Sequence, residues 1–380
     1  MSISWNHRFA ALVGAAIIGS WALPVIAQTA SPGSRQRPPQ KVLDEKTEDQ
    51  TKPAGERGRR QQGDPGITDR DLSAAPDTDL QWVKDVVYAE TTADDGSPVR
   101  LLMDTASLKR SDGKPMPVMI YVHGGGFVTG SREEGHDILE TFARGGYFAV
   151  SVDYRLAGVA KHPAAMHDVK AAIRFIRANA ESLVIDPERI GIWGHGIGGS
   201  LAAVMGTSGN TTDGLVEGTV GTTGVSSAVR AVAVVSAPAN FKELRVDDPN
   251  TPLAHYFGGT LRQRKNDVKL ISAPKYCDAL DPPFLIFHGD RDTIVPYIQG
   301  KTMEISVSGN GGLADLVKIV GGGHVLPSKD VLPALGAFFD RELGGNVTPQ
   351  MAALIEKMPE IGAGHNMLEM PTTEPPAKSD

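Results

Sequence analysis

The chain has 380 residues, of which 41% are hydrophobic and 22% charged, and its formal net charge is −7. This composition is that of an ordinary globular protein with enough apolar material for one large core. The acidic balance argues against a nucleic-acid partner. Because Cys277 is the only cysteine, an internal disulfide and a cysteine-based metal site are excluded, and we expect a half-buried structural thiol.

The first 27 residues have the pattern of a secretory signal peptide. Arg8 supplies positive charge, an apolar run follows from residue 9 to 27, and small or aliphatic residues precede the expected cleavage site before Gln28. Removal of Arg8 would take the net charge from −7 to −8. We then expect a secreted or periplasmic protein with no stable membrane span. The alternative is an uncleaved membrane anchor, which the glycines and the proline within the run disfavour.

Two segments that flank the central region are expected to lack a packed core. Residues 28–80 are rich in proline, glycine, glutamine and alternating charges, and this composition predicts a disordered linker. The tail at 345–380 ends in a proline-rich stretch and is predicted to be mobile, although a short helix at 349–358 is possible. The folded domain is therefore placed at 81–344.

Short apolar runs alternate with helical patterns through this domain. Strands are predicted at 118–122, 147–153, 190–193, 231–236, 283–287 and 316–320, and helices at 166–180, 198–205 and 331–341. This alternation predicts an α/β fold, with a mostly parallel sheet and helices on both faces. Ligands of such sheets bind at the carboxyl ends of the strands. Two irregular stretches, 207–227 and 241–280, are expected to pass over the sheet, and the second forms either part of a cap or a plain surface loop.

A glycine loop directly follows the strand at 118–122, in the sequence His123-Gly-Gly-Gly-Phe127. Three consecutive glycines cost conformational entropy, so a folded domain keeps them where the backbone must approach something closely. At this place their N–H groups can point at an oxyanion that develops during acyl transfer. The alternative is a plain flexible turn.

A carboxylate and a histidine follow two later strands. Asp292 lies just past the strand at 283–287, and His324 follows three glycines after the strand at 316–320. A carboxylate in this position can orient an imidazole, which then serves as a general base. Asp290 is the alternative acid, but a residue at the strand tip itself usually stabilises the turn. A lone histidine is more often structural, and the glycine loop that presents His324 favours the catalytic interpretation.

The chain order then demands a nucleophile on a sharp turn between a strand and a helix, in the pattern G-x-S-x-G. The turn is present at 194–199 as GHGIGG, but its central residue is Gly196. The positive φ of this turn costs another residue about 1–3 kcal/mol, whereas glycine adopts it freely. Gly196 should therefore preserve the turn while removing the hydroxyl and, with it, the acyl-enzyme route.

Together these motifs resemble bacterial α/β-hydrolase esterases of the hormone-sensitive-lipase and feruloyl/acetylxylan-esterase-like group. The shared motifs are HGGGF at 123–127, SVDYRLA at 151–157, HDVKAAIRFIRANA at 167–180, DPERIGIWGHxxGGxLA at 186–202, PPFLIFHGDRDTIVP at 282–296 and GGGH at 321–324. The resemblance covers roughly residues 81–343. Gly196 is where this chain departs from the pattern, because the family has serine there.

The resemblance implies an α/β-hydrolase fold and a lipase-like carboxylesterase with Asp292 as triad acid and His324 as general base. It assigns the N–H groups of the oxyanion hole to three residues, Gly124, Gly125 and Ile197. The nucleophile position is that of Gly196. The implied substrate is a small-molecule ester or an acylated carbohydrate. The sequence itself shows no cofactor motif and no metal-ligand cluster, so no cofactor and no metal are expected.

Three groups are candidates to replace the missing hydroxyl. Ser200 lies one helical turn deeper, about 6 Å along the axis, and should face the packed interior. His195 flanks the turn and is expected to pack or orient. A water held by His324 is the preferred candidate and would support slow direct hydrolysis. The second class of function is a catalytically impaired protein of the same fold that binds an ester or a sugar-linked ligand.

Overall fold

The computed structural model describes residues 79–209, 211–244, 246–347 and Ile361. The predicted signal segment at 1–27, the predicted linker up to residue 78 and the possible helix at 349–358 lie outside the described residues. Of the helices in the described ranges, none is long and apolar enough to cross a membrane.

One eight-stranded sheet forms the centre of the described domain, and its spatial order is β1-β2-β4-β3-β5-β6-β7-β8. The strands are β1 (Leu80–Thr92), β2 (Pro98–Leu108), β3 (Met116–Val122), β4 (Phe148–Val152), β5 (Ile185–His195), β6 (Ala231–Val235), β7 (Phe284–Gly289) and β8 (Ala314–Ile319). All neighbours from β4 to β8 in this order pair in parallel, whereas β1 with β2 and β2 with β4 pair antiparallel. The predicted mostly parallel α/β sheet is confirmed.

Helices connect most of the strands. They are α1 (His136–Arg144), α2 (Ala164–Ala178), α3 (Ala180–Leu183), α4 (Ile197–Thr207), α5 (Gly214–Glu217), α6 (Pro252–Phe257), α7 (Lys265–Leu270), α8 (Ile298–Gly309) and α9 (Ser328–Leu343). Three short 3-10 turns are found at Arg132–Gly135, Phe241–Leu244 and Ala273–Lys275.

The two faces of the sheet carry separate apolar clusters. Along β3, Ile120 belongs to the cluster that contains the buried residues of α2 and α4, whereas Tyr121 belongs to the cluster of α1 and α9. This division follows from the pleat, which sends successive side chains of a strand to opposite faces. Every residue of β3 is buried, as expected for a strand covered on both faces. The predicted helices on both faces are confirmed.

The strands β1 and β2 and the helices α1 and α8 were not predicted from the sequence. In β1 most residues are exposed or only half-buried, so the strand lacks the continuous apolar run that marks the central strands. The helix α8 buries only four residues, Gln299, Gly300, Met303 and Val307, and two of these are not apolar. A pattern search based on apolar periodicity therefore has little to detect in either element.

The prediction of a mobile tail from residue 345 is wrong for the part that the structure describes. The Asn346 N–H donates to the Gly145 carbonyl over 3.0 Å, and Val347 is fully buried. Ile361 is also buried and forms an isolated antiparallel bridge with Leu326. These residues pack on the domain because they extend the apolar cluster that α9 covers.

Candidate active site

The turn between β5 and α4 has the geometry of a nucleophile elbow. Gly196 has φ +55° and ψ −120°, a backbone conformation that side-chain-bearing residues rarely adopt. Its N–H donates to the Val235 carbonyl over 2.9 Å. A Cβ atom on Gly198 would overlap the carbonyl oxygen of Val122, so the start of α4 lies directly against the end of β3. The flanking glycine thus permits the close packing that this turn requires.

Asp292 and His324 form a buried hydrogen-bonded pair at the carboxyl ends of β7 and β8. The His324 Nδ1–H donates to Asp292 Oδ2 over 2.8 Å, and each residue is only 7% exposed. The other carboxylate oxygen accepts the N–H groups of Ile294 and Val295, both at 2.8 Å. An ionised carboxylate held in this way fixes the imidazole ring and stabilises the positive charge that the ring gains as a base.

Burial by itself would raise the pKa of Asp292. The hydrogen bonds from His288 and His324, the charge of His324 and the backbone N–H of Val295 outweigh that effect and hold the pKa well below its usual range. The carboxyl group is therefore ionised at neutral pH, so it accepts the proton on Nδ1 of His324. In the neutral imidazole, Nε2 then carries the lone pair that can accept a proton.

The free side of His324 faces the elbow. A Cβ atom built on Gly196 would lie 3.5 Å from His324 Nε2 and 3.9 Å from Cε1, and apart from Gly196 and its two chain neighbours no other described residue comes within 4 Å. This separation is an ordinary van der Waals contact, so the space accepts a side chain. A hydroxyl one bond beyond that Cβ would come within hydrogen-bond reach of Nε2.

The glycine loop is held by a tyrosine. The Tyr154 hydroxyl lies 3.1 Å from the His123 carbonyl and 2.9 Å from the Gly124 carbonyl, and its ring stacks on the His123 ring with centroids 4.3 Å apart. Within the described ranges, the N–H groups of Gly124 and Gly125 have no hydrogen-bond acceptor. The hydroxyl thus binds the loop carbonyls and leaves these N–H groups free to bind a ligand oxygen.

Ile197, the third predicted oxyanion residue, is the first residue of α4. Its N–H likewise has no acceptor in the part of the chain that the structure describes. The N–H groups at the start of a helix have no partner inside the helix and suit an anionic oxygen. The contact of Gly198 with the end of β3 brings this helix start beside the glycine loop.

Three further contacts fix the loop that carries His324. The Nε2–H of His195 donates to the His324 carbonyl over 3.0 Å, and the two rings meet edge to face. Asp290 accepts the Gly321 N–H over 2.7 Å. Leu326 and Ile361 exchange backbone hydrogen bonds of 3.1 and 2.8 Å. Asp290 therefore occupies the turn-stabilising position expected from the sequence, and His195 the orienting one.

Ser200 and Cys277 are not placed to act as nucleophiles. The Ser200 hydroxyl is buried and donates to the Pro238 carbonyl over 2.5 Å. Burial, assisted by the nearby Asp281, raises the pKa of the Cys277 thiol to about 12. Such a thiol carries almost no nucleophilic thiolate at neutral pH.

Three residues near the site were not singled out from the sequence. Tyr154 lies inside the SVDYRLA motif, but its role depends on loop carbonyls 30 and 31 residues away. The Nε2–H of His288 donates to the Val295 carbonyl over 2.8 Å and thereby closes the loop that holds Asp292. Tyr256 stacks on Phe127 with ring centroids 3.7 Å apart. The segment 241–280 thus contacts the glycine loop, as part of a cap would.

Known proteins share this architecture. A family model described as BD-FAE matches residues 103–306. Esterase LipC of Mycobacterium tuberculosis is 31% identical over 211 residues, which are 53% of this chain and 50% of LipC. The chain therefore spans about half the length of that relative.

Two solved structures superpose on most of the chain. A bifunctional GH43-CE protein of Bacteroides eggerthii has TM-score 0.60 and 29% identity, and covers 69% of this chain and 38% of its own. A truncated carbohydrate esterase from gut microbiota has TM-score 0.59 and 28% identity, and covers 74% of this chain and 99% of its own. Sequence and fold are therefore those of esterases with the α/β-hydrolase fold.

Proposed function

We propose that this chain, which belongs to the BD-FAE family, binds carboxylic esters at Gly196 and hydrolyses them slowly with a water that His324 activates. The observation that carries the proposal is the buried Asp292–His324 pair, whose free nitrogen faces the Cβ position of Gly196 at 3.5 Å. A site with no catalytic use would have no chemical need for a base oriented in this way.

The chemistry follows from the groups present. The ester carbonyl oxygen accepts the N–H groups of Gly124, Gly125 and Ile197, which stabilise the negative charge that develops on it. The Nε2 atom of His324 takes a proton from the attacking water and returns it to the leaving alcohol. Asp292 stabilises the imidazolium that exists between these two transfers.

The expected rate is low. Serine proteases that have lost a triad member retain roughly 10³- to 10⁴-fold catalysis over the uncatalysed reaction, from oxyanion binding and substrate binding. An activated ester such as p-nitrophenyl acetate is therefore the suitable first substrate. We expect the parent protein to hydrolyse it above the buffer rate and the His324→Ala variant to lose that excess. A parent rate that equals the buffer rate would contradict the proposed hydrolysis.

A binding protein without turnover is the second candidate, and Gly196 itself favours it. This candidate predicts saturable binding of a non-activated ester, measured by calorimetry, with no alcohol released. His324→Ala would then change the affinity only slightly, because the backbone N–H groups of the oxyanion hole, and not the imidazole, would bind the ester carbonyl.

The carbohydrate-esterase structures that resemble this chain support an acylated carbohydrate as the ligand, with a small-molecule ester as the simpler alternative. The signal-like pattern of residues 1–27 supports a secreted or periplasmic protein. Release of acetate from acetylated xylan, compared with p-nitrophenyl acetate, separates the two ligand classes.

A further inference from the structure

The geometry at Gly196 points to a second activity, transfer of an acyl group from an ester directly to a small alcohol such as methanol, and this activity rests on the ester-binding role proposed above. In a serine esterase the first acceptor of the acyl group is the enzyme's own hydroxyl. In this chain the base, the acid and the oxyanion donors remain, but the acceptor must come from solution.

The space for that acceptor is defined by the elbow. Apart from Gly196 and its two chain neighbours, only His324 among the described residues lies within 4 Å of the Cβ position of Gly196. A serine oxygen is linked to the Cα atom through Cβ, whereas the oxygen of a free acceptor has no such link. Van der Waals contact therefore keeps the free oxygen about 1 Å farther from the Gly196 Cα than a serine oxygen would be. This displacement is away from the backbone and towards the carbonyl of a bound ester. Water and methanol both meet this condition.

The step balances without any co-reactant. The alcohol gives its proton to Nε2 of His324 while its oxygen bonds to the ester carbonyl carbon, and the resulting oxyanion is held by the backbone N–H groups. The bond from that carbon to the leaving oxygen then breaks, and the leaving oxygen takes the proton from the imidazolium. The products are a new ester and the original alcohol, or an acid when water is the acceptor.

A direct transfer differs from ordinary transesterification in one measurable property. A serine esterase passes every substrate with the same acyl group through one acyl-enzyme, so methanol and water compete for a common intermediate. The ratio of methyl ester to free acid is then independent of the leaving group. Without that intermediate, methanol and water compete at the first bond-forming step, and the ratio changes with the leaving group.

The experiment compares p-nitrophenyl, phenyl and 1-naphthyl butyrate in buffer that contains methanol at molar concentration. Methyl butyrate and butyrate are quantified by gas chromatography for the parent, Gly196→Ser, Gly196→Ala and His324→Ala proteins. For the parent we expect methyl butyrate to form, with a ratio that varies at least about twofold across the three esters. For Gly196→Ser we expect one constant ratio.

Gly196→Ala is the matched control. Its Cβ has the same position and the same backbone strain as that of Gly196→Ser, but it offers no hydroxyl and obstructs the approach to Nε2. We therefore expect it to lose both products, while the activity of Gly196→Ser shows that the strained turn still folds. His324→Ala should form neither product above the buffer level.

Two results would overturn the transfer activity while leaving the esterase site intact. One is butyrate without methyl butyrate from the parent, beside an active Gly196→Ser variant. The other is a constant product ratio in the parent, which would reveal an acyl-enzyme on another nucleophile. Failure of the proposed function itself looks different, because the parent would then release no butyrate above the buffer rate.

Discussion

Restoring the hydroxyl by Gly196→Ser is the decisive perturbation of this molecule. The structure provides room for the new side chain, because its Cβ would lie 3.5 Å from His324 Nε2 with no other described residue beyond its chain neighbours within 4 Å. A triad nucleophile is worth up to roughly 10⁶ in kcat. A gain of at least about 100-fold, or about 2.7 kcal/mol of transition-state stabilisation, is therefore a conservative expectation.

The same substitution should cost stability. The residue at 196 has φ +55°, which any side-chain-bearing residue adopts at a cost of about 1–3 kcal/mol. Gly196→Ser and Gly196→Ala should therefore lower the free energy of unfolding by similar amounts, which denaturant titration measures. Activity and stability then move in opposite directions in Gly196→Ser, whereas both fall in Gly196→Ala.

The assay is p-nitrophenyl acetate hydrolysis followed from the first seconds. Gly196→Ser should show a burst of p-nitrophenolate from acyl-enzyme formation, and the parent should show none. Ser200→Ala is the control for a nearby serine without a role in the reaction, because the Ser200 hydroxyl donates its hydrogen bond to the Pro238 carbonyl. A folded and soluble Gly196→Ser protein without the gain would refute the assignment of this turn as the nucleophile position.

Other expectations concern the groups around this position. Tyr154→Phe should lower kcat of the Gly196→Ser protein about tenfold with little change in KM, because the glycine loop loses the hydroxyl that holds its carbonyls. His195→Ala should shift the pH–rate profile of the same protein and His195→Gln should largely restore it, because the hydrogen bond to the His324 carbonyl orients the base. Asp292 has a lowered pKa, so its stabilising effect is full above pH about 4 and is lost as the pH falls towards the folded pKa. Asp292→Asn should accordingly destabilise the protein at pH 7, and the difference from the parent should shrink as acid titration in denaturant goes below pH 4.

Much of the site could be predicted because parallel strands end at the same edge of a sheet, which brings together residues that are far apart in the chain. Residues that follow β5, β7 and β8 meet at one edge, since all three strands end there, and Gly196, Asp292 and His324 are such residues. The glycine-rich turns mark these strand ends in the sequence itself. The choice between Asp290 and Asp292 also followed from position, because a carboxylate at the strand tip binds the adjacent turn.

The remaining parts depend on contacts that no local pattern records. The strand β1 lies at the sheet edge with much of its surface exposed, so it shows no long apolar run. The role of Tyr154 depends on a carbonyl 30 residues earlier in the chain. The bridge between Leu326 and Ile361 pairs a single residue with a single residue, so it produces no repeating pattern in the sequence.

The bridge between Leu326 and Ile361 affects which shortened proteins keep the geometry of the site and when a newly synthesised chain acquires it. A chain shortened after Leu343, at the end of α9, would keep every group that touches an ester. It would nevertheless lose the two backbone hydrogen bonds that Ile361 makes to Leu326, two residues beyond the base. During synthesis, the anchor for the base emerges 37 residues after His324. Kinetic constants from trimmed proteins would therefore understate the activity of the native site, and a nascent chain reaches its working geometry only after Ile361 has been synthesised.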